Sequence, residues 1–294
     1  MQVQGNVHER SAEIMKRVLS IQDLSYFGKC SQTIAVPVLS AMGIEAVPLL
    51  TSVLSTHTGI PGYAFRTMRD FIPDVTSQWK ALGLKFDAIY TGYLGSREDV
   101  RMVESVLDDF LTPETLLVVD PAMGDQGKLY PGFDQAYVEE NKTLCGRADL
   151  VVPNLTELCF LTGTEYRENL DEEELQERLK IMASLGCGQV LLTGASLSEG
   201  MTGAYGYDAS ENTFYACQNE HIPGTYVGTG DLFSSVLTGA LVRGRDLQQS
   251  AELACSYVQK TIRRTAQSGE NAWYSINFEQ TLPELIRVIG LDNQ

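Results

Sequence analysis

Histidine is scarce in this chain of 294 residues: only His8, His57 and His221 occur. No Gly-x-Ser-x-Gly turn accompanies them, so a Ser-His-Asp hydrolase finds little support. The six cysteines, Cys30, Cys145, Cys159, Cys187, Cys217 and Cys255, include no Cys-x-x-Cys pair. That spacing speaks against structural zinc and, without a secretory pattern, predicts reduced and mostly buried thiols. A GxxxxGK[ST] run is missing, which excludes a P-loop enzyme. No GxGxxG follows the first expected strand, which weakens a Rossmann reading. Apolar runs fall far below the roughly 20 residues of a membrane span. Met1 to Lys16 is polar and mixed in charge, unlike a signal peptide. The expectation is a cytoplasmic protein with no membrane partner. Lys and Arg number 22 against 38 Asp and Glu, a formal net charge of −16. Nucleic acid is disfavoured, because its binding needs basic patches that displace counterions. Any nucleotide site in so acidic a chain should depend on a divalent cation.

Apolar residues make up 44% of the chain and charged residues 20%, the balance of a globular protein. Residues 1–16 read as a flexible extension and 17–294 as one domain. Arg17 to Gln22 reads as a first buried strand, followed by a helix from Ser31 to Met42. Further strands are expected at Val47–Val53, Ala88–Thr91, Leu116–Asp120, Leu150–Val152 and Gln189–Thr193. Helices are expected at Tyr63–Leu82, Glu98–Phe110, Tyr137–Leu144, Glu157–Leu161 and Glu172–Leu185. Thr202–Tyr207 and Asn212–Cys217 look like a hairpin, and helices dominate from Leu232 onward. Continuous apolar strands alternating with helices predict an α/β fold with a mostly parallel central sheet covered on both faces. Ligands in such folds sit at the carboxyl ends of strands.

The unusual residues lie at those ends. Gly228-Thr229-Gly230-Asp231 precedes the small, apolar run Leu232 to Val242, which reads as a helix. A helix N-terminus offers unpaired N–H groups and a positive dipole end to phosphate oxygens, and glycine allows close approach. Asp231 there is either a helix cap or a base that takes a proton from an attacking group. Asp120-Pro121-Ala122-Met123-Gly124-Asp125-Gln126-Gly127-Lys128-Leu129-Tyr130 places two acids around a tight loop at a strand end. It is either an ordinary acidic loop or a holder of a metal–phosphate complex. Asn154 can cap the next helix, with Glu157 three residues in, where a carboxylate could hold a metal's water shell. Thr193 ends a strand where it could donate to a phosphate.

Together these segments resemble the pyridoxal kinases of the ribokinase-like superfamily. Asp-Pro-x-Met-Gly-Asp-x-Gly-x-x-Tyr, Pro-Asn-x-x-Glu and Gly-Thr-Gly-Asp occur in that family's order. So do Ser55-Thr56-His57-Thr58-Gly59 and Thr91-Gly92-Tyr93-Leu94-Gly95-Ser96. The likeness covers roughly residues 17 to 288, with most similarity to the bacterial branch labelled pyridoxamine kinase. It implies a three-layer α/β/α fold and ATP-dependent phosphorylation of the 5′-hydroxymethyl group of a vitamin B6 vitamer. Asp231 would be the base, and the amides of Gly228, Thr229 and Gly230 the anion hole. Asp120, Asp125, Asn154 and Glu157 would surround Mg-ATP, with Asp120 and Glu157 on the Mg2+ side. Thr193 would touch the phosphates, while Lys128 and Tyr130 would belong to a mobile cover. Thr58 and Tyr93 would line the pyridine pocket, with His57 close by. A homodimer and help from a monovalent cation such as K+ are also implied.

One departure concerns the first strand. The family usually has Gln-Ser-His-Val there, and this chain has Gln22-Asp23-Leu24-Ser25. An aspartate at the ring could pair with a protonated pyridine nitrogen or an aminomethyl group, shifting preference away from pyridoxal. The plain alternative is that Asp23 caps a turn. Hydroxymethylpyrimidine kinase is the nearest competing activity, but its Gly-Gly-Ala-Gly-Ile-Gln-Ala-Asp run is replaced here by Asp23-Leu24-Ser25-Tyr26-Phe27-Gly28. A non-catalytic vitamer carrier or sensor is the third reading, and the intact Gly228-Thr229-Gly230-Asp231 argues against it.

Overall fold

The first strand, β1 (Arg17–Phe27), is an interior strand of a sheet and its first half is buried on both faces. The computed structural model describes residues 15–168, 170–268 and 274–291. The expectation for residues 1–16 falls, up to residue 14, outside the described residues. After β1 come α1 (Gln32–Ala41), β2 (Glu45–Thr56), β3 (Phe65–Thr67), α2 (Ile72–Ala81), β4 (Ala88–Thr91) and α3 (Arg97–Phe110). Next are β5 (Leu116–Val119), the short strands β6 (Gly124–Asp125) and β7 (Lys128–Leu129), α4 (Gln135–Gly146), β8 (Leu150–Val151) and α5 (Leu155–Thr162). The chain continues with α6 (Glu172–Ala183), β9 (Gln189–Ala195), β10 (Met201–Asp208), β11 (Thr213–Glu220), α7 (Thr229–Val242), α8 (Leu247–Gln267) and α9 (Leu282–Val288).

Nine strands form one sheet in the order β11-β10-β9-β8-β5-β4-β1-β2-β3. The six from β9 to β2 in that order run parallel to their neighbours, and β10, β11 and β3 add antiparallel edges. Apolar clusters lie on both faces. Side chains of α2 to α6 pack on one, with Leu19, Ile21, Leu117 and Val119. Those of α1, α7, α8 and α9 pack on the other, with Val18, Ala88, Val118 and Leu150. This three-layer arrangement explains why the central strands read as unbroken apolar runs: both faces leave water.

Two expectations change. The helix expected over Tyr63–Leu82 starts only at Ile72, and Pro73 sits in its first turn, where its missing N–H is harmless. The stretch before it holds β3, because Phe65, Arg66 and Thr67 pair with Leu54, Val53 and Ser52. The first strand also runs past Gln22 to Phe27, since Leu24 to Phe27 continue the pairing with β2 after an irregularity opposite Thr51 and Ser52. Asp23 therefore sits in a strand and not in a turn.

Candidate active site

The start of α7 is built around two glycines with different tasks. Gly228 has φ of 91°, and a Cβ there would lie 2.6 Å from the Lys29 carbonyl oxygen and 2.8 Å from Ile34 Cδ1. Only glycine fits such a junction. Ser275 Oγ, which donates to the Lys29 oxygen at 2.8 Å, braces it from behind. Gly230 differs: a Cβ there would meet nothing within 4 Å. The space above the first turn of α7 is thus open. The amides of Thr229, Gly230 and Asp231 belong to that turn, where the helix itself supplies no acceptor. An anion in the open space would meet these donors and the positive end of the dipole.

Asp231 stands in the same turn. Burial, followed by the charges of Asp120 and Asp23, pushes its carboxyl up to about 7, while the Ser31 backbone amide favours the charged form. Ser31 is the N-cap of α1 and holds φ of 48°, unusual for a residue with a side chain. Its hydroxyl donates to Asp23 Oδ1 at 2.5 Å. Ser31 thus bridges Asp231 through its amide and Asp23 through its side chain. Asp23 is 3% exposed, accepts a second bond from Ser25 Oγ at 3.2 Å, and is pushed up to about 6 by burial. Cys30 lies within the field of both acids, and burial before either charge drives its thiol up.

The second group of acids comes from β5, the β6–β7 hairpin and α5. Asp120 follows β5 directly, accepting from Ser234 Oγ of α7 at 2.8 Å and from the Ala122 amide at 3.2 Å. Glu157 lies at the third position of α5, in a reciprocal capping box with Asn154. One Glu157 oxygen accepts from the Asn154 amide at 2.8 Å and the other from the Met123 amide at 2.9 Å. Asn154 Nδ2 donates to the Gly124 oxygen at 2.8 Å, and the Gly127 amide donates to Thr156 Oγ1 at 2.9 Å. The helix start therefore pins the hairpin over the site. Burial pushes Asp120 and Glu157 up, and the Asp120 charge pushes Glu157 further. Tyr130 lies within reach of Glu157, Asp125, Asp120 and Asp231 together. Asp125 and Lys128 are exposed on the hairpin. Thr193 is placed beside Asn154 by a parallel bridge, and its hydroxyl donates to the Pro153 oxygen at 3.3 Å.

The donor set of Asp120 and Glu157 fits a divalent cation. Glu157 is buried and Asp120 half-buried, and loss of water, not a cationic neighbour, is the largest influence on each. No cluster of three or more His, Cys, Asp or Glu side chains forms a self-sufficient metal site among the described residues. A bound cation would take its remaining ligands from water and phosphate.

The residues expected at the pyridine ring are placed unevenly. Tyr93 is half-buried and feels Asp23, Tyr63 and Asp99. Thr58 is exposed in the turn after β2. His57 is buried with both ring nitrogens engaged: Nδ1 accepts from the Gly59 amide at 3.1 Å and Nε2 faces the Tyr274 oxygen at 3.0 Å. Its ring also fills the space a Gly28 side chain would need. His57 therefore ties the end of β2 to the turn after β1 and to the chain near Tyr274. Ser31, Ser234 and Tyr90 were not legible as site residues. Tyr90 is a fully buried phenol on β4 within reach of Asp120, Asp231, Ser234 and Ser235. Ser31 is an ordinary helix-start residue, and no local signal separates it from any other N-cap.

A family model described as phosphomethylpyrimidine kinase matches residues 36–275. The pyridoxal kinase of Arabidopsis thaliana is 30% identical over 267 residues, covering 88% of this chain and 85% of the relative. A solved structure from Bacteroides thetaiotaomicron, described as a phosphomethylpyrimidine kinase and crystallised with pyridoxal, is 37% identical. It superposes with a TM-score of 0.88 over 92% of this chain and 96% of that one. The pyridoxal kinase of Lactobacillus plantarum is 30% identical, with a TM-score of 0.86 over 94% of this chain and 98% of its own. With this sheet order, these strand-end loops and these relatives, the chain belongs to the pyridoxal kinase family and has the ribokinase-like fold.

Proposed function

We propose that this kinase transfers the γ-phosphoryl group of ATP to the 5′-hydroxymethyl group of a vitamin B6 vitamer. The observation that carries the reading is the first turn of α7, where open amides and a carboxyl held near 7 share one cleft with Asp23 and Asp120. A base works best when its pKa lies near the working pH. Asp231 takes the proton of the vitamer hydroxyl as its oxygen bonds to phosphorus and the bond to ADP breaks. The amides of Gly228, Thr229 and Gly230, with that of Asp231 in the same turn, hold the charge on the transferred group. Asp120 and Glu157 would hold Mg2+ through its water shell, with Asp125, Asn154 and Thr193 around the phosphates. The cation would neutralise phosphate charge that the net −16 of the chain otherwise repels. Lys128 and Tyr130 cover the phosphates from the hairpin side. Asp23, Tyr93 and Thr58 receive the pyridine ring, and His57 fixes the backbone on which Thr58 stands.

Residues 17–294 make one kinase domain in this proposal, with a cytoplasmic setting, and a homodimer and a monovalent cation are carried over from the family. The helices described include none long and apolar enough to cross a membrane. A coupled assay of ADP release with pyridoxal, pyridoxine, pyridoxamine and hydroxymethylpyrimidine tests the reading. Release dependent on a B6 vitamer is expected. Turnover of hydroxymethylpyrimidine alone would favour thiamine salvage, and turnover of none would favour a carrier.

A further inference from the structure

The segment between β2 and α2 is thinly anchored. β3 is three residues long, lies at the edge of the sheet and is exposed at every position. Backbone bonds between Ser55 and Ala64 and from Met68 to Thr51 close the segment onto β2. Its side-chain tie across to α3 runs through Arg69. Arg69 Nε donates to Asp99 Oδ1 at 2.9 Å, and Nη2 donates to Ser96 Oγ at 2.6 Å. Ser96 Oγ donates to Asp99 Oδ2 at 2.9 Å, so the three side chains form a closed ring. The Asp99 side chain is 0% exposed and that of Arg69 33%. A buried carboxylate resists losing its cationic partner, which makes this clamp hard to open.

The clamp borders the loop after β4: the Gly92 amide donates to the Ile21 oxygen at 3.2 Å, and a Cβ on Gly92 would collide with Gln22 Oε1, which sets Tyr93 next to Asp23. The charges of Asp23, Tyr63 and Asp99 all act on the Tyr93 phenol. The Phe65 ring lies 3.4 Å from the place a Gly95 side chain would occupy. The 65–69 segment thus meets the 95–99 stretch at Phe65 and at Arg69, on the chain that carries Tyr93.

We propose that Arg69 is a positioning residue: by clamping Asp99 and Ser96 it holds the 63–69 segment against Tyr93 as the side wall of the vitamer pocket. The inference rests on the vitamer-kinase reading. A held wall does two things: it sets vitamer affinity, and it keeps water from the base. With the wall loose, water replaces the alcohol. Its oxygen bonds to phosphorus, the bond to ADP breaks, Asp231 takes the proton, and ADP and inorganic phosphate result.

The test uses the full chain and two variants. Arg69→Gln breaks the clamp and leaves Asp99 buried. Arg69→Met combined with Asp99→Leu removes the pair and refills its volume, which is often neutral for stability. Both should raise the vitamer KM by about fivefold, inside the roughly 2- to 30-fold range of indirect contacts, with the ATP KM within about twofold. Vitamer-independent ATP hydrolysis, relative to vitamer phosphorylation, should rise by a similar factor of about five. A purely structural role predicts that the double variant recovers the vitamer KM along with its melting temperature, and that result overturns the proposal. So does an unchanged vitamer KM and hydrolysis ratio in either folded variant. Hydrogen exchange on the unaltered protein supplies the measurement that needs no variant. Vitamer should slow exchange in 63–69 and 94–99 together, and slowing in only one of them sinks the idea. An unaltered protein that phosphorylates no vitamer overturns the functional reading itself, an outcome distinct from normal turnover with an indifferent Arg69.

Discussion

Gly230 offers the sharpest separation of folding from chemistry. Its backbone is helical, not left-handed, and an added Cβ meets no heavy atom within 4 Å. Gly230→Ala should therefore fold without strain. Alanine in place of a helical glycine stabilises by up to about 1 kcal/mol, less in a first turn, which corresponds to roughly 1–3 °C in melting temperature for a chain of this size. The methyl group would nevertheless enter the open space at the first turn of α7, where the proposed function puts the transferred phosphoryl group. Displacing a reacting phosphoryl group by about 1 Å costs around 10² in rate, and losing one amide donor costs as much again. Turnover should thus fall by about 10² or more while the melting temperature holds or rises. Coupled ADP release and a thermal melt on the same preparation read both quantities. A folded variant with turnover within about twofold of the unaltered protein would remove the phosphoryl group from this position. The contrast is Gly228→Ala, where φ of 91° and the Lys29 oxygen at 2.6 Å make the fold itself suffer, by about 1–3 kcal/mol or more.

Asp231→Asn should keep nucleotide binding and lower turnover by about 10² or more, and comparable turnover would take the base role away from Asp231. In the unaltered protein kcat/KM should fall as pH drops below about 7, because the base must be unprotonated. Stability should run the other way. Asp23 at about 6 and Asp231 at about 7 lie above the ordinary carboxyl range near 4. Their contribution is therefore complete below about pH 4 and is lost as pH rises through 6 to 7. Asp120 and Glu157 act in the same direction. The ligand-free protein should melt lower at pH 8 than at pH 5.5, with Mg-nucleotide reversing the loss; a melting temperature that rises over this window contradicts the carboxyl assignment. Asp23→Ser should raise relative activity on pyridoxal. It should also move the acid limb of kcat/KM to lower pH by less than a unit, because the Asp23 charge is one of the smaller causes of the high Asp231 value. An unchanged vitamer ratio would refute the specificity role.

Much of the frame could be read from residue order alone. Unbroken apolar strands separated by amphipathic stretches specify a covered parallel sheet, because period and burial are local properties of the chain. For the same reason the loops after β4, β5 and β8 could be located before any coordinates, and with them Tyr93, Asp120 and Asn154, whereas Thr193, expected to end its strand, lies two residues inside β9. Gly228 and Gly230 could be placed at a helix start, but not told apart. Only the packing of Lys29 and Ile34 against one, and open space beside the other, assigns them different tasks. Phe65 to Thr67 became a strand through partners on β2, a pairing no local propensity reports. His57 ties the end of β2 to the backbone near Tyr274, a contact across 217 residues of chain that no spacing reports. Ser31 joins Asp23 to Asp231 only because β1, α1 and α7 converge at one point. Residue chemistry and spacing thus determined the sheet and the acids at its edge. Long-range contact decided which of those acids share a cleft, how far burial raises them, and which side chains hold them in place.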